Sequence, residues 1–415
     1  MTTRLPPELI FHIVSFLHND KVALLACSLC CSALGTITRP LLFHTLRTSL
    51  GSRAAAQFKN ILESDPAVSP YIKRIDVAIP TFEAALNQRA IAAISEIIVR
   101  RWKQDTPPEL NLAVRPSRSS FPEFEQHILP CLGVVPRWVT SLELDQLSLT
   151  GGVGFWRIVL AFPRLASLIL GCITIGTARV HIPSHWASKV PRLTLKKFAL
   201  DDSCNVRWLL ADHPLPLPSL RFLDVRFPTA LDPAHVRFAG HYGATVRSLR
   251  FGVVIVRSPT LDWDKFTGKL FVNRLACYAT LILPIQATAE FISRFENLKA
   301  LTFQGLLVPP VPIQRSPVTF DWIPVALRGV SPTVRKLKME VVAAHLSYLD
   351  IIPWSAIDEG LACQLQSVTV VEILLATPIG MVRLLDDVHK EMEKRLPLAA
   401  QRGVLRCSAV VEHPI

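Results

Sequence analysis

Cys27, Cys30 and Cys31 stand at i, i+3 and i+4 in a short apolar stretch, a spacing that places three thiols on one face of a helix. Such a face could ligate a metal, but a zinc site needs four ligands, normally as two separated pairs. No second pair follows, and His12, His18 and His44 fall on other segments. These cysteines read as packed helix residues. Two carboxylate pairs, Asp201–Asp202 and Asp386–Asp387, could serve a metal or an acid–base step. The first ends an apolar strand pattern and the second lies on the polar side of a helix, so both read as solvated faces. The glycine cluster TGGVGFW, Thr150 to Trp156, lacks the Lys-Ser/Thr of a phosphate loop and the spacing of a dinucleotide fingerprint. Neither a Gly-x-Ser-x-Gly elbow nor a His-Glu-x-x-His helix occurs. The pattern predicts a protein that is not an enzyme, with no catalytic or metal site and no cofactor.

Composition narrows the class. Half of the 415 residues are hydrophobic and mean hydropathy is +0.34, ample for a large core. Net charge is +12, which favours acidic partners without specifying a fold. Nine dispersed cysteines, an odd number, predict no disulfide framework but small buried hydrophobes in a reducing compartment, cytoplasm or nucleus. Pro6, Pro7 and Glu8 interrupt the place where a signal peptide would begin its apolar run. The most apolar stretch, residues 160–176, is broken by Pro163 and Arg164. A soluble chain with no membrane partner is expected.

The elements that must position any functional side chain form a repeat. A pattern of apolar, two residues, aliphatic, one residue, apolar recurs as VTSLEL, LASLIL, VPRLTL, LRFLDV, VRSLRF, VNRLAC and LKALTF. The middle residues Leu142, Leu168, Leu193, Leu223, Leu249, Leu275 and Leu301 are 26, 25, 30, 26, 26 and 26 positions apart. VRKLKM (Leu337) and LQSVTV (Val368) follow at intervals of 36 and 31, and IKRIDV (Ile75) is an earlier copy. Each copy reads as a short strand with alternating apolar positions. Helix-like segments such as TAEFISRFEN and TFDWIPVAL lie between, and Pro163, Pro191, Pro218 and Pro332 end them just before the strands. One repeat cannot bury enough apolar surface to offset the entropy of ordering it, so the copies must stack. The predicted architecture is α/β: a leucine-rich-repeat solenoid, a horseshoe with a parallel concave sheet. Residues 80–136 fit the period poorly and predict a helix (Glu83 to Lys103) and a Pro-rich loop.

Alternation turns the residues between the apolar positions away from the core. On the concave face this set includes Arg192, Lys196, Phe222, Arg226, Arg250, Arg274 and Tyr278. Neighbouring strands are about 4.8 Å apart, inside the roughly 8 Å screening length of physiological salt, so the cations would act together. Arg forks match carboxylate and phosphate. The expectation is a target-binding pocket for an acidic or phosphorylated protein segment.

The N-terminus has a different rhythm. Pro6 and Pro7 suit a first helical turn, with Glu8 at the positive end of its dipole. Leu9, Ile10, Ile13, Val14, Phe16 and Leu17 then give a wide apolar face. Asn19 or Asp20 can cap a second helix with Val22, Leu24 and Leu25, and a third piece through Leu29 and Leu34 stops near Arg39-Pro40. About 45 residues of this kind cannot bury all their apolar surface internally and need a partner. LPPELIFHIVSFL, a polar break and DKVALLACSLCC resemble the F-box, a helical motif that docks on the Skp-family adaptor. Ser32-Ala33-Leu34 stands where an aromatic, often Trp, is common in that family. The segment after it, RAAAQFKNILESDPAVSPYIKRIDV, resembles the linker of fungal F-box proteins with degenerate leucine-rich repeats.

The resemblance implies an F-box over residues 1–47, a linker helix over 48–70, irregular leucine-rich repeats over 71–378, and a C-terminal capping helix and strand over 379–415. It implies docking through Leu5, Pro6, Glu8, Ile13, Leu17 and Leu24. The function it implies is substrate recognition in a cullin–RING ubiquitin ligase for ubiquitin-dependent degradation, with the adaptor, cullin and a protein target as partners. The rival readings are an adaptor-bound scaffold outside any ligase and a basic solenoid that binds nucleic acid.

Overall fold

A computed structural model describes residues 6–17, 20–49, 52–64, 66–79, 108–114, 135–145, 147–149, 155, 158–171, 173–175, 194–201, 217–227, 233–253, 285–308, 320–343, 346–378 and 385–412, with 92, 95, 96, 98, 100 and 102. The chain forms two units, Met1–Leu193 and Thr194–Ile415. Both are α/β, and in both the strands run parallel.

The first unit opens with three helices, α1 (Pro7–Ser15), α2 (Lys21–Cys30) and α3 (Ser32–Leu42). Pro7 occupies the first turn of α1, where a missing N–H is harmless. Asp20 caps α2, its carboxylate accepting from the Ala23 amide at 2.9 Å. Cys31 is extended and breaks α2 from α3. Ser32-Ala33-Leu34 therefore opens the third helix, and the aromatic near its end is Phe43, just past the last turn. Helix α3 packs on both others. Val14, Leu24 and Thr38 are buried, and the Thr38 hydroxyl donates to the Leu34 carbonyl at 2.8 Å, so its burial leaves no polar group unmatched.

Strands β1 (Thr45–Ser49), β2 (Arg74–Ile79), β3 (Glu109–Val114) and β4 (Val139–Asp145) follow, then β5 (Ser148–Leu149), β6 (Ser167–Gly171) and β7 (Thr174–Ile175). β1, β2, β3, β4 and β6 pair in that order, and β5 pairs with β7. Helix α4 (Ser52–Ser64) and a 3-10 turn, Pro66–Tyr71, connect β1 to β2. Two strands depart from the sequence reading. β1 falls across the expected boundary at residue 47 and is part of the ladder, with Leu46 opposite Ile75. β3 lies in the stretch expected to hold only helix and loop. Its Leu110, Leu112 and Val114 alternate as a strand should and are buried, but Leu110 follows its register partner Ile75 by 35 positions, away from the 26-residue spacing that most copies keep. Of the helix expected over Glu83–Lys103, residues 92, 95, 96, 98 and 100 are helical and the others lie outside the described residues.

In the second unit β8 (Lys197–Asp201), β9 (Phe222–Phe227), β10 (Ser248–Val253), β11 (Ala300–Val308), β12 (Lys336–Ala343), β13 (Val370–Pro378) and β14 (Leu405–Glu412) pair in chain order. One register line runs through Phe198, Leu223, Leu249, Leu301, Leu337, Val371 and Leu405, all buried. Two expected copies are corrected by it. Phe198 replaces Leu193 and Val371 replaces Val368. A buried anchor precedes the first six register residues by three positions, as Leu195, Leu220, Val246, Leu298, Val334 and Val368, and at residue 368 the pattern had been centred on the anchor. Leu249 pairs directly with Leu301, so β10 and β11 are immediate neighbours; the copy expected between them at Leu275 lies outside the described residues.

Helices α5 (Pro233–Tyr242), α6 (Ile285–Ser293), α7 (Trp322–Arg328), α8 (Trp354–Cys363), α9 (Leu385–Arg395) and α10 (Pro397–Gln401) complete this unit. Phe251 lies 5.6 Å from Phe291, 5.8 Å from Trp322 and 6.5 Å from Phe303, ring centre to ring centre. These buried rings tie the helices to the strands with the tilted and edge-on contacts aromatics favour. Near the C-terminus Asp358 of α8, 2% exposed, accepts from the amides of Leu398 and Ala399 at 2.8 and 3.0 Å. Helix α10 has no side-chain cap of its own, and this buried carboxylate supplies one.

No helix among the described residues is long and apolar enough to cross a membrane. Five cysteines are described, all free: Cys30, Cys31 and Cys363 are exposed and Cys27 and Cys407 half-buried, which corrects the expectation that they are core residues. Burial, with Glu393 close by, pushes the Cys407 thiol up to about 11.

Candidate docking surface

The N-terminal helices turn much of their apolar surface outward. On α1 the exposed residues are Leu9, Phe11 and Ile13, with Phe16 just beyond; on α2 they are Val22, Leu25 and Leu29. Leu9, Ile13 and Phe16 are spaced i, i+4, i+7 and Val22, Leu25 and Leu29 i, i+3, i+7, so each set shares one helical face. Phe16 is 73% exposed, Val22 80% and Leu29 79%. Single exposed apolar residues need no explanation, whereas a contiguous set marks an interaction site. The opposite faces are spent internally, through Val14 and Leu24.

Of the docking residues expected from the sequence, Leu5 lies outside the described residues. Pro6 and Glu8 are exposed at the start of α1, Ile13 is 56% exposed, and Leu17 is half-buried. Leu24 is wholly buried; it holds α2 in place and offers no surface. Leu9, Phe11, Phe16, Val22, Leu25 and Leu29 are exposed on the same two helices and were not among the docking residues expected from the sequence. Their helical spacing was the available signal.

The second candidate is the sheet face opposite the register residues in the second unit. Here Arg192, Arg274 and Tyr278 lie outside the described residues, as does the side chain of Arg226. Lys196 is exposed. Phe222 is half-buried, with the Lys197 ammonium 5.3 Å from its ring centre. Arg250 is not available to a ligand charge: its guanidinium sits between Asp224, at 3.7 Å, and Glu340, at 2.5 Å. The Gln304 amide donates to Asp224 at 2.6 Å. Glu340 also meets Lys338 at 3.3 Å, and Lys338 and Lys336 both meet Glu372, at 3.4 and 2.5 Å. The Lys336 hydrogen bond, helped by the charge of Lys338, holds the Glu372 carboxyl below its ordinary range, against the effect of partial burial. This part of the face is an internally balanced ion network, in contrast to the open basic strip expected from alternation.

The first unit repeats the arrangement on a smaller scale. Asp76 meets Arg74 at 2.7 Å and Arg47 at 3.4 Å and accepts from the Asn111 amide at 2.7 Å. Among the described residues, no group of three His, Cys, Asp or Glu side chains could hold a metal ion. Among the described residues, the apolar faces of α1 and α2 carry seven of the nine exposed large hydrophobic side chains. Comparison with protein-family models and with curated proteins finds no match for this sequence.

Proposed function

We propose that this chain is a non-enzymatic substrate receptor, whose helices α1 and α2 dock as an F-box on a Skp-family adaptor within a cullin–RING ubiquitin ligase. The strand–helix repeats, read as leucine-rich repeats, hold a protein target for modification by other subunits. One observation carries the reading: seven large apolar side chains exposed on two consecutive N-terminal helices that carry the F-box pattern. An apolar surface of that kind demands a partner.

Capture of purified adaptor and cullin tests it. The full chain retains both, and a chain with Phe16→Ser, Val22→Ser and Leu29→Ser retains neither. Anchors at such interfaces each contribute about 2 kcal/mol or more. Its melting temperature should match the parent, because all three side chains already face solvent. Leu24→Ala behaves oppositely, costing the fold about 2–5 kcal/mol through the cavity it leaves. Undiminished capture by the triple variant would overturn the docking surface. Capture of adaptor without cullin would place the protein outside the ligase, and capture of neither would remove the receptor reading.

A further inference from the structure

We propose that the second unit carries a basic ridge for an acidic peptide segment, formed by Lys196, Arg221, Arg247, Lys299 and Arg335. All five occupy the same place in the repeat, two residues before Phe198, Leu223, Leu249, Leu301 and Leu337. The main chain sets them in a row. The Arg221 amide donates to the Lys196 carbonyl at 2.9 Å, Arg247 to Arg221 at 2.8 Å, Lys299 to Arg247 at 2.7 Å and Arg335 to Lys299 at 2.8 Å. Parallel pairing spaces neighbours by about 4.8 Å, so the ridge crosses about 19 Å.

Each of the five is exposed, and none pairs with a carboxylate of the described residues. That separates them from Arg250, Lys336 and Lys338, whose charges are met on the sheet face. The Arg221 guanidinium donates to the Thr245 carbonyl at 3.0 Å, which steadies it without neutralising it. In the turns leading into the ridge, residues 194–196, 217–221, 243–247, 295–299 and 331–335, Glu296 is the single carboxylate. Adjacent cations fall within one screening length of about 8 Å, so their fields add.

The ligand chemistry follows from what accompanies the charge. Tracking a nucleic-acid strand calls for aromatic platforms on which bases stack. The one aromatic in these turns, Phe295, is buried. A run of Asp or Glu needs no such platform. It is extended by its own repulsion, rises about 3.3 Å per residue, and offers carboxylates to Arg forks and Lys ammonium groups along the ridge. This names the target class of the receptor reading, yet it concerns the repeats alone and is tested without adaptor.

The test titrates the full chain into a fluorescein-labelled oligoglutamate of about twelve residues and follows anisotropy at about 0.05 and 0.3 M salt, conditions that change the screening length about 2.5-fold. Binding is expected to weaken at least about tenfold at the higher salt. Arg247→Glu with Lys299→Glu should lower affinity by at least about tenfold. Arg247→Gln with Lys299→Gln should give an intermediate loss. Lys390→Glu, an exposed charge on α9, should change nothing, and melting temperatures of all three should match the parent. Absence of binding, or equal binding by the charge-reversed chain, would overturn the ridge. Tighter binding of oligothymidylate of the same length would assign it to nucleic acid instead.

Discussion

Arg250 on β10 reaches over β11 to hydrogen-bond Glu340 on β12, ninety positions later in the chain. Thr302 lies between Arg250 and Lys338 in the register. Asp224, 8% exposed at its side chain, lies 3.7 Å from the same guanidinium and also accepts from the Gln304 amide. Arg250→Ala should therefore lower unfolding stability by about 1.5–3 kcal/mol, the range for hydrogen bonds to charged groups. Adding Glu340→Gln to it should cost less than Glu340→Gln alone, because the contact the two residues share is already lost and only the Lys338 contact of Glu340 remains to lose. Urea titrations of the two single variants and the double variant check this. Additive losses would mean that the pair is not coupled.

The Glu372 carboxyl predicts a pH dependence of definite sign. Its value in the folded chain lies below the ordinary one, through Lys336 first and Lys338 second. As pH falls, the unfolded chain takes up the proton before the folded chain does. The stability it contributes is complete above the ordinary carboxylate range and is lost as pH falls through the folded value. The group is 24% exposed, so the effect is modest. Wild type should melt above Glu372→Gln at neutral pH, and the gap should close below about pH 4. A gap that widened in acid would reverse the assignment.

How far the sequence foretold this can be judged from particular residues. Leu142, Leu168, Leu223, Leu249, Leu301 and Leu337 are register residues of parallel strands, because a buried leucine at a fixed place in each strand is what stacking demands. Even spacing alone misled. Leu275 fits the 26-residue period, yet Leu249 pairs with Leu301, since pairing depends on which segments meet in space and a period records only chain length. β3 shows the converse, a strand with clear alternation whose Leu110 follows its register partner Ile75 by 35 positions in place of 26. Alternation placed Arg250 outward but could not reveal Glu340 beside it, because the two are distant in sequence. The basic ridge was written in the repeat itself, as the residue after the first apolar position in LRFLDV, VRSLRF, LKALTF and VRKLKM. It became visible once the register fixed those residues as neighbours.

Two glycines near the end of α5 give the last prediction, in which one substitution type has opposite effects three residues apart. Gly243 is buried where the chain leaves α5. A Cβ there would lie 1.9 Å from the Arg294 carbonyl oxygen and 2.8 Å from that of Ala239. Both obstacles are backbone, so the contact cannot be relieved by turning a side chain. Gly243→Ala should cost about 1–3 kcal/mol, as overpacking does. Gly240, inside α5 and exposed, would meet nothing within 4 Å. Gly240→Ala should stabilise by up to about 1 kcal/mol, because alanine loses less backbone entropy in a helix. Urea midpoints of the two variants read the difference directly. Should Gly243→Ala also stabilise, the close approach of the α5 end to the turn after α6 would be refuted.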